Sequence, residues 1–345
     1  MSFSVVDLFC GVGGLTHGLT LEGVKVNAGI DLDPACRYPY EKNNDARFIE
    51  RDVGELSSDD IKSLFPRGDM KILVGCAPCQ PFSTYNQGKD HKNDSKWGLL
   101  YTFGQLIEEI QPTIVSMENV PRLSNHNVYK DFVQLLERNE YKVKPFNVYC
   151  PKYGIPQTRK RLVLFASKLG ELDILPSFCD PNQYSTVRQA IGHLEPLQAG
   201  EVSTKDSLHR ARNLSTLNLN RIRASRPGGS WREWDKDLIA DCHKKETCRT
   251  FTSVYGRMEW DKPSPTMTTL FHGFGNGRFG HPEQDRAISI REAALIQSFP
   301  EDYEFVEKDS AITFMKLGRL IGNAVPVNLG KVIAQSIIKH LETYS

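Results

Sequence analysis

The amino-acid sequence predicts an α/β fold, with a doubly wound, mostly parallel sheet and a smaller irregular domain inserted into the chain. Apolar, β-branched strand candidates alternate with helix-like segments over residues 1–169, which is typical of parallel sheets. A glycine cluster directly follows the first strand candidate. After residue 169 the alternation stops, and helix signals return only from Ile288. These observations favour one sheet-based domain that the chain leaves and later rejoins.

Seven strand candidates support the sheet. Each is a short run rich in aliphatic and aromatic residues. The candidates are Ser4–Phe9, Val24–Ile30, a strand near Phe48, Lys71–Cys76, Pro112–Val120, and the runs YKVKPFNVYC and RLVLFAS. Helix-like segments lie between them: one extends to about Glu22, one begins at Asp33 with Pro34 in its first turn, and one is LLYTFGQLIEEI.

Residues 170–287 carry a different pattern. Pro, Gly, Asn and Ser punctuate short segments and no helical period persists, so we predict a separate, irregular domain. Residues 288–345 then contain SIREAALIQSF and a long final helix with apolar residues at Ile333, Ile337 and Ile338. We expect these C-terminal helices to fold back onto the first domain.

Composition and charge narrow the function classes. The chain has 345 residues, of which 39% are hydrophobic and 25% charged, so neither disorder nor a bare coiled coil is favoured. No apolar run is long enough to span a membrane and the N-terminus lacks a secretion signal, so we expect a cytoplasmic protein with no membrane partner. Its eight cysteines should then be free thiols. Because the net charge is only +1, a nucleic-acid partner would need a local basic patch.

The segment DLFCGVGGLTHGL leads from the first strand into the first helix. Glycine permits a tight turn and a close approach of the backbone to a ligand, and the helix N-terminus offers free N–H groups. The glycines are Gly11, Gly13 and Gly14, whereas Thr16 stands where a dinucleotide fingerprint has its third glycine. The pattern therefore weakens a dehydrogenase interpretation, and a tight turn without a ligand is the alternative.

Two acidic residues close the next two strand candidates. Asp31 follows Gly11 by 20 residues, where a carboxylate can accept both ribose hydroxyls of a nucleoside. Asp52 ends the third strand, where an acid can meet an adenine amino group, and the amide of Val53 would complete that contact. Each acid alone is typical of a helix cap or a loop. Their order after the glycine turn favours an adenosine-containing cofactor.

The segment GCAPCQPFS follows the fourth strand and contains Cys76-x-x-Cys79. A zinc site would need a second ligand pair, and the cysteines and histidine at 242, 243 and 248 have poor spacing for it, so we predict no metal. A thioredoxin-like redox pair would open a helix, but Gln80 and Pro81 follow Cys79. The alternative to a redox or zinc pair is one nucleophilic cysteine, Cys79, held by Pro78 at a strand end.

Polar residues also mark the fifth strand and the last one. Glu118 lies at the end of the fifth strand, so we expect it at the same edge of the sheet as Asp31 and Cys79. Arg159 and Arg161 are two residues apart before the last strand, and in extended chain both would project to one side. A charged strand end and a basic loop are the alternatives.

The irregular region contains an arginine cluster without an acidic residue between Ser207 and Arg232. Arginine contacts phosphates and guanine edges through two parallel hydrogen bonds, so the cluster is a candidate nucleic-acid surface. A solvated surface is the alternative. The six arginines are Arg210, Arg212, Arg221, Arg223, Arg226 and Arg232.

Taken together, these segments resemble the DNA cytosine-5 methyltransferases that use S-adenosylmethionine. The resemblance covers most of the chain, with the motifs in the family's order, and PSPTMTT (Pro263–Thr269) resembles the family's recognition motif. The other matching segments are DLFCGVGG, Asp31, RDV, APCQPFS, ENV, QTRKR, REAALIQSFP and GNAVP. The resemblance implies a catalytic and cofactor-binding domain over residues 1–169, a target-recognition domain over 170–287, and C-terminal helices over 288–345.

The resemblance also implies a mechanism and its catalytic residues. Cys79 would attack carbon 6 of a flipped-out cytosine, so that carbon 5 can accept a methyl group. Glu118 would hold ring nitrogen 3 and the exocyclic amine, Arg161 the carbonyl oxygen, and Arg159 would assist. The methyl donor would leave as S-adenosylhomocysteine.

Two further sets of residues follow from the resemblance. The cofactor set comprises Phe9, Gly11, Gly13, Gly14, Leu15, Asp31, Leu32, Asp52, Val53, Pro78, Leu99, Asn323 and Ala324. The DNA-contacting set comprises Gln80, Ser83, Thr266, Thr268 and the six arginines of the cluster.

We therefore expect a site-specific DNA methyltransferase of a restriction-modification or other defence system, or a stand-alone one. It would be a monomer, bound to double-stranded DNA and through it to the nucleoid, with cognate restriction or defence proteins as further partners. Two alternatives remain at this point. One is the same chemistry on transfer RNA, and the other is a catalytically silent DNA-binding relative.

Overall fold

The computed structural model describes residues 2–78, 98–245 and 250–344, which form two compact units. Unit 1 comprises Met1–Tyr153, Lys160–Ser177 and Val325–Ser345. Unit 2 comprises Gly154–Arg159 and Phe178–Ala324. This division places residues 288–324 in unit 2, whereas the bounds predicted from the sequence group them with the final helix.

Unit 1 contains a seven-stranded sheet in the order β3-β2-β1-β4-β5-β7-β6. Strands β1 to β5 are parallel, and β7 is antiparallel to both of its neighbours. The predicted mostly parallel sheet is therefore confirmed, and each strand lies within a few residues of its candidate. The strands are β1 (Phe3–Leu8), β2 (Val26–Asp31), β3 (Arg47–Glu50), β4 (Met70–Gly75), β5 (Ile114–Asn119), β6 (Lys142–Tyr149) and β7 (Lys160–Ser167).

Eleven α-helices are present in the described residues. Asp33 caps the turn before the second helix by accepting the amide of Ala35 at 3.1 Å, as its position before Pro34 predicts. The helices are α1 (Gly14–Leu21), α2 (Arg37–Asn43), α3 (Ser58–Lys62), α4 (Gly98–Ile110), α5 (Asn127–Arg138), α6 (Val187–Ile191), α7 (Thr216–Arg223), α8 (Asp241–Lys244), α9 (Ile290–Ile296), α10 (Phe314–Asn323) and α11 (Val327–Glu342).

The sequence analysis did not predict α3 and α5. The signal for α5 was available, because Val128, Phe132 and Leu136 recur every four residues and are all buried. In α3 the helix has only five residues, and its main signal is a capping box formed by Ser57 and Asp60.

The final helix α11 packs on α1 within unit 1, and glycines permit this contact. A Cβ atom on Gly18 would lie 2.4 Å from the carbonyl oxygen of Val327, and one on Gly330 would lie 2.8 Å from that of Leu15. Only glycine allows the two backbones to approach so closely. The turn after β1 and the start of α1 are thus supported from the C-terminal end of the chain.

Unit 2 has no regular sheet among its described residues, where only isolated bridges occur. One small apolar core contains Ile222, Trp231, Trp234, Phe274 and Ala287. In the part of the chain that the structure describes, no helix is both long and apolar enough to cross a membrane.

Candidate active site

The strand order reverses its direction of growth between β1 and β4, and ligands of doubly wound sheets bind at the carboxyl ends of strands at such a point. The glycine turn follows β1 here. Gly11 and Gly13 have φ values of +54° and +85°, and Phe9 also adopts a left-handed conformation, at +59°. Among the described residues, and apart from its chain neighbours, no atom lies within 4 Å of the position that a Cβ on Gly11 would occupy. The described part of the chain therefore leaves open space beside this turn.

Asp31 ties this turn to the end of β2. Its carboxylate accepts the amide of Gly11 at 2.9 Å with one oxygen and the amide of Asp33 at 2.9 Å with the other. Burial raises the pKa of Asp31, and these amides oppose that shift. The adjacent Leu32 is an apolar side chain that is 63% exposed. Each carboxylate oxygen retains a further lone pair with which it could accept a ligand hydroxyl.

Asp52 and Val53 lie at the carboxyl end of β3. Asp52 accepts the amide of Gly54 at 2.8 Å and so caps a short 3-10 helix over Val53–Glu55. The helix-cap alternative for this acid is thus observed. Leu99 lies beside this cap, since its Cδ2 is 3.7 Å from where a Cβ on Gly54 would stand. Asp52 and Leu99, which the sequence places in the cofactor set, are therefore close together.

The ends of β4 and β5 are joined by a side chain that the sequence analysis did not single out. The buried amide of Asn119 donates to the carbonyl oxygen of Ala77 at 3.1 Å and accepts the amide of Val120 at 2.9 Å. It thereby fixes the chain one residue before Pro78, which is exposed. The predicted nucleophile Cys79, and with it Gln80 and Ser83, lies outside the described residues.

Glu118 and Arg161 form a buried ion pair beside this link. The Nε atom of Arg161, in β7, lies 2.7 Å from Oε1 of Glu118, in β5, and little of either side chain is exposed. The antiparallel pairing of β5 with β7 brings the two residues together. Burial and the negative charge of Glu118 raise the pKa of the Cys76 thiol well above its ordinary value. Cys76 is therefore held as a neutral thiol.

Arg159 belongs to unit 2 and is buried there. Its Nη1 donates to the carbonyl oxygen of Met267 at 3.1 Å and to Oε1 of Gln157 at 3.4 Å. Of the neighbouring threonines, Thr266 is exposed and donates to the carbonyl oxygen of Thr158 at 3.1 Å. Thr268 is partly exposed. The recognition motif is thus held against the segment that precedes β7 by backbone and side-chain contacts.

The six arginines of the cluster differ from one another. Arg221 is buried, donates to the carbonyl oxygen of Leu238 at 2.8 Å, and lies over the rings of Trp234 and Tyr255. Its guanidinium therefore contacts the interior of unit 2, because an arginine can satisfy carbonyls inside the protein as well as phosphates outside it. Its place in the DNA-contacting set stays a prediction, which this burial disfavours.

Two further arginines are engaged in ion pairs with exposed or half-exposed partners. Arg223 pairs with Asp285 at 3.0 Å, and Arg226 pairs with Glu233 at 2.6 Å. Arg210 donates to the carbonyl oxygen of Ser207 at 2.7 Å. Arg212 and Arg232 are exposed; Nη1 of Arg212 contacts Nδ1 of His272 at 3.4 Å, and Arg232 lies over the ring of Trp231.

Two buried glutamines are the other functional candidates that the sequence analysis missed. Gln157 and Gln297 are fully buried in unit 2 and hydrogen-bond to each other at 2.8 Å. Both lie inside motifs that the sequence made visible, QTRKR and REAALIQSFP, but nothing in the residue type indicates that they meet. Among the described residues no group of acidic, histidine and cysteine side chains could hold a metal ion.

The protein is a Rossmann-like α/β protein with the fold of methyltransferases. The features that define it are the doubly wound sheet with its one antiparallel strand, the glycine turn, and the carboxylates of Asp31 and Asp52 at the strand ends. Residues 3–339 match the C-5 cytosine-specific DNA methylase family. The chain therefore belongs to that family and is a DNA (cytosine-5) methyltransferase.

Individual relatives agree with this assignment. The chain is 54% identical over 342 residues to the Type II methylase M.HgiDII of Herpetosiphon aurantiacus, covering 98% of this chain and 96% of that protein. It is 32% identical over 349 residues to the Type II methyltransferase M1.HphI of Haemophilus parahaemolyticus, with coverage of 98% and 87%.

A solved structure shows the same fold. It is a prophage-encoded E. coli protein described as a DNA modification methyltransferase, and it superposes with a TM-score of 0.75 at 23% identity. The match covers 99% of this chain and 100% of that protein.

Proposed function

We propose that this methyltransferase modifies a cytosine within a specific sequence of double-stranded DNA, as the modification enzyme of a Type II restriction-modification system. The methyl donor is S-adenosylmethionine, and the reaction passes through a covalent adduct between Cys79 and the base. The family and the Type II methylase relatives support the substrate and the system. A cognate restriction protein as partner, a monomeric state and a cytoplasmic location remain predictions.

The described residues fit the donor. The open space beside Gly11 lets a ligand approach the backbone. The carboxylate of Asp31 suits the ribose hydroxyls, and the exposed Leu32 suits a face of the adenine. The donor supplies a methyl group on a positively charged sulfur and leaves as S-adenosylhomocysteine. We propose that the remaining contacts come from Phe9, Gly13, Gly14, Leu15, Asp52, Val53, Pro78, Leu99, Asn323 and Ala324.

The chemistry requires the cytosine to be activated first. The thiolate of Cys79 adds to carbon 6, which moves the ring electrons toward carbon 5 and makes that carbon a nucleophile. After carbon 5 has been methylated, its proton leaves to a base, the carbon–sulfur bond breaks, and the thiolate returns. Elimination regenerates the thiolate, so one cysteine serves every turnover.

The Glu118–Arg161 pair is the observation that carries this proposal. A guanidinium beside a carboxyl group, both largely withdrawn from water, can engage the polar edge of a pyrimidine ring, and the guanidinium can stabilise the negative charge that develops as the thiolate adds. We propose that Glu118 accepts the exocyclic amine and, in its acid form, donates to ring nitrogen 3, that Arg161 donates to the carbonyl oxygen, and that Arg159 assists. The Asn119–Ala77 hydrogen bond supports the same site, since it fixes the backbone two residues before Cys79.

A cytosine stacked in a duplex is out of reach of any such thiolate. We therefore propose that the base is flipped out, which costs a few kcal/mol that phosphate and groove contacts offset. We propose that these contacts come from Gln80, Ser83, Thr266 and Thr268, and from the arginine cluster without Arg221.

The test is methyl transfer from labelled S-adenosylmethionine to unmethylated plasmid DNA, with total transfer RNA assayed in parallel. Cys79→Ala should abolish transfer to DNA while S-adenosylhomocysteine still binds. Cys179→Ala is the matched control, because it removes another thiol that lies outside the proposed site, and it should methylate as the wild type does. Plasmid DNA containing 5-fluorocytosine should trap the wild-type protein, but not Cys79→Ala, as a denaturation-resistant adduct.

The outcomes separate the alternatives. Label on transfer RNA alone would overturn the proposed substrate. Transfer that survives in Cys79→Ala would overturn the covalent mechanism. Cofactor binding with no transfer to plasmid or genomic DNA would favour a catalytically silent DNA-binding protein.

A further inference from the structure

Two buried glutamine side chains in unit 2 connect four segments of the chain. Gln157 lies before β7, and Gln297 follows α9. Oε1 of Gln157 accepts the amide of Met267 at 2.7 Å and Nη1 of Arg159 at 3.4 Å. Its Nε2 donates to Oε1 of Gln297 at 2.8 Å. Nε2 of Gln297 then donates to the carbonyl oxygens at the end of α10, those of Ile321 at 2.7 Å and Ala324 at 3.3 Å.

This chain of hydrogen bonds can run in only one direction. A backbone N–H at position 267 must donate, so it faces the oxygen of Gln157. The carbonyls at the end of α10 must accept, so they face the nitrogen of Gln297. The contact between the two glutamines is thereby fixed as nitrogen to oxygen, and neither amide can be flipped without opposing like groups.

A second contact joins the same segments. A Cβ atom on Gly322, in the last turn of α10, would lie 2.6 Å from the carbonyl oxygen of Thr268. The end of α10 therefore packs directly against the backbone of the recognition motif. The glutamine chain and this close approach act on the same two segments.

We propose that Gln157 and Gln297 are positioning residues of the methylation site. Their hydrogen bonds hold Arg159 and the recognition motif in a fixed position relative to residues 321–324 at the end of α10. The inference rests on the proposed function in two respects. Arg159 acts on the base, and Asn323 and Ala324 contact the donor. The glutamines themselves touch neither ligand. They fix the segments that do, so their loss weakens ligand binding without removing a ligand contact.

Glutamate at either position cuts one link and keeps the other. In Gln297→Glu, one oxygen still accepts from Gln157, while the other opposes the carbonyls of Ile321 and Ala324. In Gln157→Glu, the contacts to Met267 and Arg159 remain, while an oxygen opposes Oε1 of Gln297. A protonated glutamate can donate through its O–H group and restore the lost link, whereas an ionised one cannot.

The opposing carbonyls and the burial should raise the pKa of a glutamate at position 297, because both disfavour the charged form. Gln297→Glu should therefore bind S-adenosylhomocysteine almost as tightly as the wild type at about pH 6, and about tenfold more weakly at about pH 9. Gln297→Met removes the amide without adding a titratable group. Its affinity should be lower than that of the wild type by a factor that does not change with pH.

The experiment is calorimetric titration of each full-length variant with S-adenosylhomocysteine across this pH range, alongside thermal unfolding. Gln284→Met is the matched control, since Gln284 accepts the amide of Leu197 and Nε of Arg286 outside the chain of hydrogen bonds. It should lower the melting temperature and leave the affinity for S-adenosylhomocysteine unchanged. The pair Gln157→Met and Gln297→Met should not be additive, because either change interrupts the same chain.

A pH-dependent loss of affinity in Gln297→Glu, absent in Gln297→Met, would support the proposal. Variants that lose only thermal stability and bind S-adenosylhomocysteine as the wild type does at every pH would overturn it. Failure of the wild type to bind S-adenosylhomocysteine or to methylate plasmid DNA would instead refute the proposed function. If Gln297→Glu does not fold, Gln157→Glu tests the same hydrogen bond between the two glutamines from the side of Gln157.

Discussion

The two units bury polar groups by different means. In unit 1 the sheet pairs the backbone groups, and its central strand carries one fully buried acid, Asp7, which accepts a hydrogen bond from the hydroxyl of Thr16 at 2.7 Å. In unit 2 no regular sheet is described, and buried arginines take over part of that task. Arg257 alone donates to the carbonyl oxygens of Ile222, Ser225, His281 and Gln284.

Unit 2 shows how a unit without a regular sheet satisfies its buried carbonyl groups. Without a ladder of strands, buried carbonyls need other donors, and a guanidinium offers five N–H groups in a fixed fork. Arg286 shows the same use, since it is fully buried and forms two 2.7 Å contacts with the carboxylate of Glu292. A high arginine content in such a unit therefore has a role in folding, besides the proposed contacts with DNA.

The largest expected effect comes from breaking the buried pair of unit 2. Arg286→Met leaves Glu292 buried without its counter-charge and removes donors to Leu197 and Ala287. We expect the free energy of unfolding to fall by about 3–5 kcal/mol, as for other buried pairs that lose one partner. Urea denaturation at neutral pH measures it.

The environment of Glu292 also gives the pH dependence of this effect. Arg286 holds the pKa of Glu292 at about 2 against the ordinary 4.5, despite burial, which raises it. The pair therefore stabilises the fold fully above pH 4.5, and this stabilisation is lost as the pH falls toward 2. An Arg286→Met protein as stable as the wild type at neutral pH would show that the pair contributes nothing net.

Asp7 in unit 1 should show the opposite pH dependence. Burial raises its pKa to about 7 from the ordinary 3.8, with the hydroxyl of Thr16 opposing and Asp31 adding to the shift. The unfolded chain therefore releases this proton before the folded chain does. Stability from this group is fully present below pH 3.8 and is lost as the pH rises through 7.

Asp7→Asn should remove that dependence. The wild-type slope due to this group is at most about 1.4 kcal/mol per pH unit. The measurement is urea denaturation at a series of pH values between the two pKa values, where the variant should have a flatter profile than the wild type. Parallel profiles would mean that Asp7 is ionised inside the folded protein.

Two arginines of the cluster separate the folding role from the DNA role. Arg221→Met should lower the free energy of unfolding by about 2 kcal/mol, because the Leu238 carbonyl loses its donor and two rings lose a cation. Arg212→Met, at an exposed position with one 3.4 Å contact to His272, should change stability by less than about 1 kcal/mol.

For DNA binding, Arg212→Met should have the larger effect and Arg221→Met the smaller one. Arg212→Met should weaken binding to plasmid DNA and reduce the salt dependence of the binding constant by about one counterion. Arg221→Met, when folded, should retain the wild-type salt dependence. A reduced salt dependence in Arg221→Met alone would restore Arg221 to the DNA-contacting set.

The same contrast explains what the sequence could predict. In unit 1 the apolar runs and the turn residues that bound them are informative. The strands β1 to β7, the glycine turn, and the positions of Asp31 and Glu118 at strand ends therefore follow from local patterns. The partners do not follow, because the Glu118–Arg161 pair depends on the antiparallel register of β5 and β7.

In unit 2 local patterns predict α9 but little of the fold before it. The pairing of Gln157 with Gln297 spans 140 residues, and Arg221 and Arg212 have the same side chain but opposite exposure. Residue type gives the chemistry that a side chain can perform. Only the packing of distant segments decides whether a guanidinium faces carbonyls or solvent.

The smallest effect should come from the exposed counterpart of the Arg286–Glu292 pair. Arg226 and Glu233 also form a two-pronged contact, at 2.6 and 3.1 Å, but the side chain of Arg226 is 75% exposed. Water and salt screen such a pair, so Arg226→Met should lower the free energy of unfolding far less than Arg286→Met does. That cost should shrink further in high salt, whereas the loss in Arg286→Met should be nearly independent of salt. Equal losses in the two variants would show that geometry rather than burial sets the strength of these pairs in unit 2.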